Sequence, residues 1–170
     1  MKKTNSVQKF VLLALPLALL AGCGGGDKAE APVGSTIRIN PSAVMWTVTV
    51  APATSTGCNP ATDEYFYQEL NISVIGPNGR PINNAQLYVT LDLSLETSSS
   101  DSQRLYDDPT WVAGPSPAVV PAGRVSGSYV TSTGDFGTKR LIVATEACTH
   151  AGNMNVFSGT AFGTINFAVE

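Results

Sequence analysis

Residues 70–95, LNISVIGPNGRPINNAQLYVTLDLSL, decide the fold of this chain. Apolar and polar side chains alternate on both sides of the central turn. The apolar positions after the turn are Ala85, Leu87, Val89, Leu91, Leu93 and Leu95. Because strands place successive side chains on opposite faces, each half predicts a half-buried β-strand. The turn from Pro77 to Pro81 contains Asn-Gly, which tolerates positive φ, so the two halves are predicted to pair as one β-hairpin. Such a hairpin needs a second sheet against its apolar face.

The composition favours a single all-β domain. Of 170 residues, 43% are hydrophobic and 14% charged, and 16 glycines and 11 prolines favour short strands and turns over helices. The net charge is −3, although Lys2, Lys3 and Lys9 add positive charge at the N-terminus. The rest of the chain is therefore more acidic and has no basic stripe, which argues against nucleic acid as a partner.

Other segments also predict short strands. The candidates are residues 36–50, 124–133, 141–144 and 156–169. The first is expected to bend at Pro41, and residues 141–144 are apolar on both parities, as in a central strand covered on both sides. Residues 148–155 are predicted to be a loop. About seven strands at these spacings predict a two-sheet antiparallel sandwich.

The N-terminal segment has the layout of a secretory signal. A positive region precedes the apolar residues 10–20, FVLLALPLALL, and small residues follow. Leu20-Ala21-Gly22-Cys23 resembles a bacterial lipobox. The resemblance implies cleavage before Cys23, lipidation of its thiol and attachment to a membrane. Gly24 follows in place of Asp, which implies sorting to the outer membrane.

The predicted organisation has three parts. Residues 1–22 are the lipoprotein signal peptide, residues 23–35 are the lipidated cysteine with a flexible Gly-rich tether, and residues 36–170 are the sandwich domain.

The central stretch also carries a family resemblance. ISVIGPNGRPINNAQLYVTL resembles the bacterial Ig-like domains of the invasin and intimin type. The matching positions are Gly79, Pro81, Ile82, Ala85 and Val89, with Thr133, Gly137 and Leu141 in a later turn and strand. Gly76 stands where the family usually has Asp. The resemblance implies an Ig-like fold and transfers no functional residue.

Two cysteines remain if Cys23 is acylated. Export to an oxidising compartment predicts a disulfide between Cys58 and Cys148. There is one objection, because in a plain seven-strand sandwich the first and last connections lie at opposite ends. The bridge then requires residues 51–63 to fold back along the domain or to add a strand.

No catalytic or metal signature accompanies the polar residues. His150 is the only histidine, and no G-x-S-x-G nucleophile motif is present. Loop aspartates occur at Asp101, Asp107, Asp108 and Asp135, but their spacing matches no calcium loop. We therefore expect no enzyme activity, no cofactor and no metal site.

Residues 97–123 form the least regular stretch and are the predicted binding loop, since binding residues concentrate on loops of a rigid scaffold. The predicted binding residues are Arg104, Tyr106, Asp107, Asp108 and Trp111. The alternative is an insertion that covers a sheet edge. We expect residues 98–108 to be removable without unfolding. A second possible surface is a strip of tyrosines, Tyr65, Tyr67 and Tyr88, although packing under a loop also explains them.

The predicted function is that of a non-enzymatic, outer-membrane-anchored lipoprotein. Its Ig-like domain is expected to mediate adhesion, or to bind a protein or polysaccharide at the cell envelope. The alternative is a structural accessory subunit of a larger outer-membrane or extracellular assembly, which an unpaired sheet edge would favour.

Overall fold

The computed structural model describes residues 29–46, 65–92, 103–114, 120–146 and 150–169. Ten strands lie within these ranges, with a 3₁₀ turn at Asp135–Gly137. The strands are β1 (Thr36–Asn40), β2 (Ala43–Trp46), β3 (Tyr65–Ile75), β4 (Gln86–Asp92), β5 (Gln103–Tyr106), β6 (Arg124–Val125), β7 (Ser128–Ser132), β8 (Thr138–Glu146), β9 (His150–Ser158) and β10 (Ala161–Val169).

The strands form two five-stranded sheets. Sheet one has the order β1-β3-β8-β5-β6, and sheet two has the order β2-β10-β9-β4-β7. All pairs are antiparallel except β2 with β10, which is parallel. The prediction of an all-β, Ig-like two-sheet sandwich is confirmed. The described strands outnumber the predicted seven because residues 36–46 and 124–132 each contribute one strand to each sheet, and because β5 and most of β9 lie in predicted loops.

The core lies between the sheets and follows the alternation in the sequence. Its fully buried side chains include Leu70, Ile72, Val74, Leu87, Val89, Leu105, Leu141, Met154 and Ile165. Burying a large aliphatic side chain stabilises a fold by roughly 1.5–3 kcal/mol, so this layer is the main source of stability.

The prediction that β3 and β4 pair as a central hairpin is wrong. The turn forms where expected, since Gly76 N donates to Arg80 O (2.8 Å) and Ile82 N donates to Val74 O (3.0 Å). Beyond the turn, however, the chain crosses to the other sheet, and β3 and β4 face each other across the core. Alternation shows that one face of a strand is buried and does not identify the strand beside it. Two strands on opposite sides of a sandwich give the same pattern as a hairpin.

The first strand is divided at Pro41, as predicted. β1 pairs with β3 in sheet one, and β2 pairs with β10 in sheet two. The Asn40–Pro41 peptide bond between them is cis. Trp46 then packs on the core, with its ring 6.0 Å from that of Phe66 and 6.2 Å from that of Phe167.

β8 lies at the centre of sheet one and is covered on both sides, as its sequence predicted. Leu141 and Val143 belong to the main core. Ile142 and Ala144 face outward and are equally buried, because a second apolar cluster covers them.

The loop predicted for residues 148–155 is mostly strand. β9 begins at His150 and forms a hairpin with β10 across their full lengths. Gly152 and Ser158 occupy two of its inward positions, so the apolar alternation that would have revealed β9 is interrupted. Gly159 forms the turn of this hairpin with a φ of +57°.

Four connections meet at one end of the sandwich, which we call the N-terminal end. They are residues 29–35, 76–85, 133–137 and 159–160. Asn84 N donates to Thr133 O (3.1 Å), and Ala31 N donates to the Ser158 hydroxyl (2.9 Å). At the opposite, far end, Trp46 is paired with Val169 in sheet two, and Tyr65 is paired with Glu146 in sheet one.

Part of the predicted tether belongs to the packed domain. Ala29 bridges to Ala85, and Gln86 N donates to Ala29 O (2.8 Å). Ala31 is 5% exposed and joins the core. The ordered domain therefore begins by Ala29 and not at Thr36. No sequence pattern indicates these contacts, because they use backbone groups and a single alanine.

Candidate functional site

Four of the predicted binding residues, Arg104, Tyr106, Asp108 and Trp111, come together on the outer side of sheet one, and Asp107 bridges to β7 of sheet two; all five mainly build the domain. Tyr106 and Trp111 are 3% and 5% exposed. Their rings lie 6.4 Å and 6.2 Å from the ring of Tyr67, over Ile142. These two aromatic side chains therefore offer little surface to a ligand.

The aspartates of this group also make internal contacts. The Asp107 carboxylate accepts hydrogen bonds from Lys139 Nζ (2.6 and 2.8 Å) and from the Tyr129 hydroxyl (2.7 Å). Burial, followed by this hydrogen bond to Asp107, raises the pKa of Tyr129. Asp107 thus ties the start of the 107–123 connection to β7 and β8.

Asp108 organises the same connection through backbone groups. Its Oδ1 accepts from the amides of Thr110 (2.9 Å) and Trp111 (3.1 Å), and its Oδ2 accepts from the amide of Ala122 (2.8 Å). These bonds, with that from Ala122 as the largest contribution, hold the pKa of Asp108 below its ordinary value. The carboxylate therefore closes a loop, which is the usual role of an aspartate that accepts from the amides following it.

Two arginines complete this covered area. The Arg104 guanidinium lies 4.1 Å from the centre of the Tyr65 ring. Arg140 donates to the carbonyl oxygens of Asp108 (3.1 Å), Pro109 (2.9 Å) and Trp111, and it pairs with Glu69 at 2.9 Å. That bond to Arg140 lowers the pKa of Glu69. Residues 106–111 are thus held down over the outer face of the central strand β8, whereas the alternative placed a covering insertion at a sheet edge.

The predicted tyrosine strip does not form. Tyr65 and Tyr67 belong to β3 in sheet one, whereas Tyr88 belongs to β4 in sheet two. The idea of one strip assumed that β3 and β4 are neighbours. Tyr67 instead packs under the 106–111 segment, as the alternative proposed.

The outer face of sheet two carries a surface that the sequence did not reveal. Val130, Tyr88, Phe157 and Phe162 occupy directly paired positions on β7, β4, β9 and β10. Their exposed fractions are 49%, 38%, 40% and 51%, respectively. We call these four residues the apolar row. Adjacent strands lie about 4.8 Å apart, so the row spans about 14 Å across the sheet.

The rings of the apolar row support one another. The Phe157 and Phe162 rings lie 4.9 Å apart at an angle of 42°. The Tyr88 hydroxyl accepts a hydrogen bond from Gln86 Nε2 (3.0 Å). Aromatic side chains fixed in this way lose little conformational freedom when a partner covers them.

Toward the far end, the same face becomes polar and concave. Asn153, Asn155, Thr164 and Asn166 are neighbours on β9 and β10, and we call them the amide patch. Asn155 Nδ2 donates to Asn153 Oδ1 (2.8 Å). A depression of about 430 Å³ adjoins the patch. Its lining comprises Ala43, Val44, Met45, Ala151, Gly152, Asn153, Asn166, Phe167 and Ala168.

The two sheets differ in charge. In sheet two, none of the described strand side chains is charged. The strand sequences of that sheet contain one acidic residue, Asp92, and one histidine, His150, and both stand at strand ends. Sheet one, by contrast, carries Arg38, Glu69, Arg104, Arg124, Lys139 and Arg140. The amide patch is therefore suited to a neutral ligand.

The apolar row can be predicted once the pairing register of β9 and β10 is known. Phe157 and Phe162 lie on either side of the Gly159–Thr160 turn, and they become direct neighbours once β9 and β10 pair as a hairpin. Because the sequence pattern predicts a loop at residues 148–155, it supplies no register for this hairpin.

The predicted lipidation site Cys23 and the predicted disulfide residues Cys58 and Cys148 lie outside the described residues, as does Asp101. Lipidation and the disulfide stay predictions.

Within the described ranges, no three His, Cys, Asp or Glu residues lie close enough to hold a metal ion. Among the described residues, no helix has the length and apolar character needed to cross a membrane.

The strand order defines the class of protein as an Ig-like two-sheet β-sandwich. No family model and no curated protein matches the chain. Among solved structures, the chain is similar to the ASH/PapD-like domain of human CEP192 (PapD-like domain 7), with 7% sequence identity and a TM-score of 0.34. That comparison covers 87% of this chain and 94% of the CEP192 domain. It is also similar to the N-terminal domain of PorA, with 15% identity, coverage of 80% and 97%, and a TM-score of 0.31. Scores this low carry no argument about function. The resemblance to invasin and intimin domains stays a prediction.

Proposed function

We propose that this chain is a non-enzymatic lipoprotein of the outer membrane whose sandwich domain binds a neutral polysaccharide at the cell envelope through the amide patch. The lipobox at Leu20–Cys23 supports the anchor. The observation that carries the binding proposal is the amide patch beside an alanine-lined depression, on a face whose described side chains are uncharged.

The chemistry of the amide patch matches sugar hydroxyl groups. Each asparagine side chain offers one carbonyl acceptor and two N–H donors, and a threonine hydroxyl both donates and accepts. The bond from Asn155 to Asn153 uses one donor and one acceptor position and orients the remaining ones. A sugar hydroxyl has the same dual character, so a neutral glycan can pair with the patch without burying a charge.

The apolar part of the depression completes the match. Ala151, Ala168 and Met45 are directly paired across β9, β10 and β2, and Met45 is 68% exposed. Sugar rings present C–H groups between their hydroxyls, and these pack favourably against small aliphatic side chains. The depression is open and lies on a sheet, so it can admit a segment of a polymer.

A protein partner is the competing interpretation. Protein interfaces are enriched in aromatic residues and arginine, whereas lysine, glutamate and aspartate are depleted. The amide patch contains no arginine and no aromatic residue. Its composition therefore favours the polysaccharide.

The proposal is tested by affinity electrophoresis of the detergent-solubilised full chain in native gels that contain neutral glucans, mannans or galactans, or an acidic polysaccharide. We expect at least one neutral polymer to retard the protein. The double variant Asn153→Ala/Asn166→Ala should bind about tenfold more weakly, because each lost hydrogen bond contributes about 0.5–1.5 kcal/mol.

The matched control is Asn71→Ala, which removes an exposed asparagine from sheet one. This variant should be retarded like the wild type. Retardation by the acidic polymer alone, or equal retardation of the wild type and the double variant, would remove the amide patch as the binding site.

A further inference from the structure

Exposed apolar side chains are concentrated where the chain enters the domain. Val33 and Phe136, both 80% exposed, lie in two of the connections at the N-terminal end. The apolar row is close by, because Phe162 follows the β9–β10 turn and Tyr88 lies two residues beyond Gln86, which bonds to Ala29. We call Val33, Phe136 and the apolar row, all at or near the N-terminal end, the entry surface.

The distance from the lipid attachment point is short. The chain between Cys23 and Ala29 can span at most roughly 20 Å, even when fully extended. A lipid on Cys23 therefore holds the N-terminal end of the sandwich within that distance of the membrane surface. The far end has no such constraint.

The charges near the entry surface do not favour an electrostatic contact. Its exposed charged residues in the N-terminal connections are Glu30, Arg80 and Asp135, two acidic and one basic. Anionic lipid attracts clusters of basic residues, and none is present at this end of the described chain. The aromatic and aliphatic side chains are the groups that gain from leaving water, and aromatic rings are favoured at the level of the lipid headgroups.

We propose that the entry surface docks onto the membrane that carries the Cys23 lipid, with Phe136, Phe157 and Phe162 in the headgroup layer. The inference rests on the lipid anchor of the proposed function and does not depend on the polysaccharide. Docking fixes the orientation of the sandwich. The amide patch lies on the same face as the apolar row, begins about 7 Å from it and continues for about another 7 Å toward the far end, so it is displaced from the bilayer along the strands.

Docking would add a second contact to the lipid on Cys23 and remove the exposed phenylalanines from water. A rigid pair of rings, Phe157 and Phe162, adds contact area without the cost of ordering a flexible segment.

The test uses the acylated full chain reconstituted in phosphatidylcholine vesicles, with its intact mass confirming the lipid. Phe162→Trp places a reporter in the entry surface, and Met45→Trp places a matched reporter on the same sheet toward the far end. Brominated phosphatidylcholine should quench the additional fluorescence of Phe162→Trp and leave that of Met45→Trp unchanged. In a second arm, Phe157→Ala/Phe162→Ala should increase transfer to acceptor vesicles, on the order of tenfold, relative to Met45→Ala.

The possible failures are distinguishable. Equal quenching of the two reporters in acylated protein would overturn docking and leave the anchor and the amide patch intact. A chain without acyl mass would overturn the anchor and docking together. A transfer rate that does not change in the double phenylalanine variant would also contradict docking.

Discussion

Tyr65 and Glu146 are direct cross-strand partners on β3 and β8, at the far end of the sandwich. The segment that contains Cys58 leads into Tyr65, and Cys148 follows shortly after Glu146. Both segments therefore start and finish at the same end of the domain. The expected obstacle, that the first and last connections lie at opposite ends, does not apply, because β2 runs parallel to β10 and ends beside Val169.

We expect Cys58 and Cys148 to form a disulfide in the exported protein. The bridge would close a loop of about 90 residues and stabilise the domain by about 2–4 kcal/mol. Thiol titration of the denatured, unreduced mature protein should find no reactive thiol. Two thiols per chain would refute the bridge. The Cys58→Ser/Cys148→Ser variant should melt at a lower temperature without losing its fold.

β5 is expected to be essential for folding. Leu105 is completely buried in the core, and β5 pairs with β8 on one side and β6 on the other. Removing residues 98–108 would therefore delete a strand, which overturns the expectation that this stretch can be shortened. Leu105→Ala should lower the free energy of unfolding by about 2–5 kcal/mol. Chemical denaturation measures this loss, with Val112→Ala, at a position 75% exposed, as the control. A loss below that of the control would contradict this role.

Periodicity located most strands but could not identify their partners. The double-sided apolar run at Leu141–Ala144 predicted a central strand correctly, because only a strand covered on both faces has no polar parity. The alternation in β3 and β4 carried no information on whether the two strands share a sheet. β9 was missed because Gly152 and Ser158 interrupt its inward positions.

The candidate site was harder to predict than the fold. Its residues are asparagines, alanines and threonines that look like ordinary solvent-facing positions, and only the register of β9 and β10 brings them together. The mixture of aromatic and charged residues at 104–111 suggested recognition. In the structure it covers β8, because an apolar outer face on a central strand must be buried by something.

Asp108 should make stability sensitive to acid. Its pKa is lowered in the folded state, first by the hydrogen bond from Ala122 N. Folding therefore favours the ionised form. This contribution is fully present above the unfolded pKa of about 3.9 and is lost as the pH falls through the lower folded pKa. The stability difference between the wild type and Asp108→Ala should be constant near neutral pH and shrink below about pH 4. Thermal melts across this range measure it, and a difference that grows on acidification would contradict the assignment.

Gly137 is expected to tolerate no side chain. Its φ is +64°, and a Cβ there would lie 2.6 Å from Ile82 N and 2.9 Å from Val74 O. Gly137→Ala should therefore destabilise the domain by more than about 1 kcal/mol. Gly127→Ala is the matched control, since a Cβ at that position meets nothing within 4 Å. Equal melting temperatures for the two variants would be inconsistent with this close contact.

The central claim is that the amide patch binds a neutral polysaccharide. Its most direct test is a titration of the isotope-labelled full chain with neutral gluco-, manno- and galacto-oligosaccharides, observing the side-chain amide resonances by NMR. The account predicts that at least one oligosaccharide shifts the signals of Asn153, Asn155 and Asn166 and leaves that of Asn71 unchanged. Shifts confined to residues 103–114, or no shift with any oligosaccharide, would contradict it.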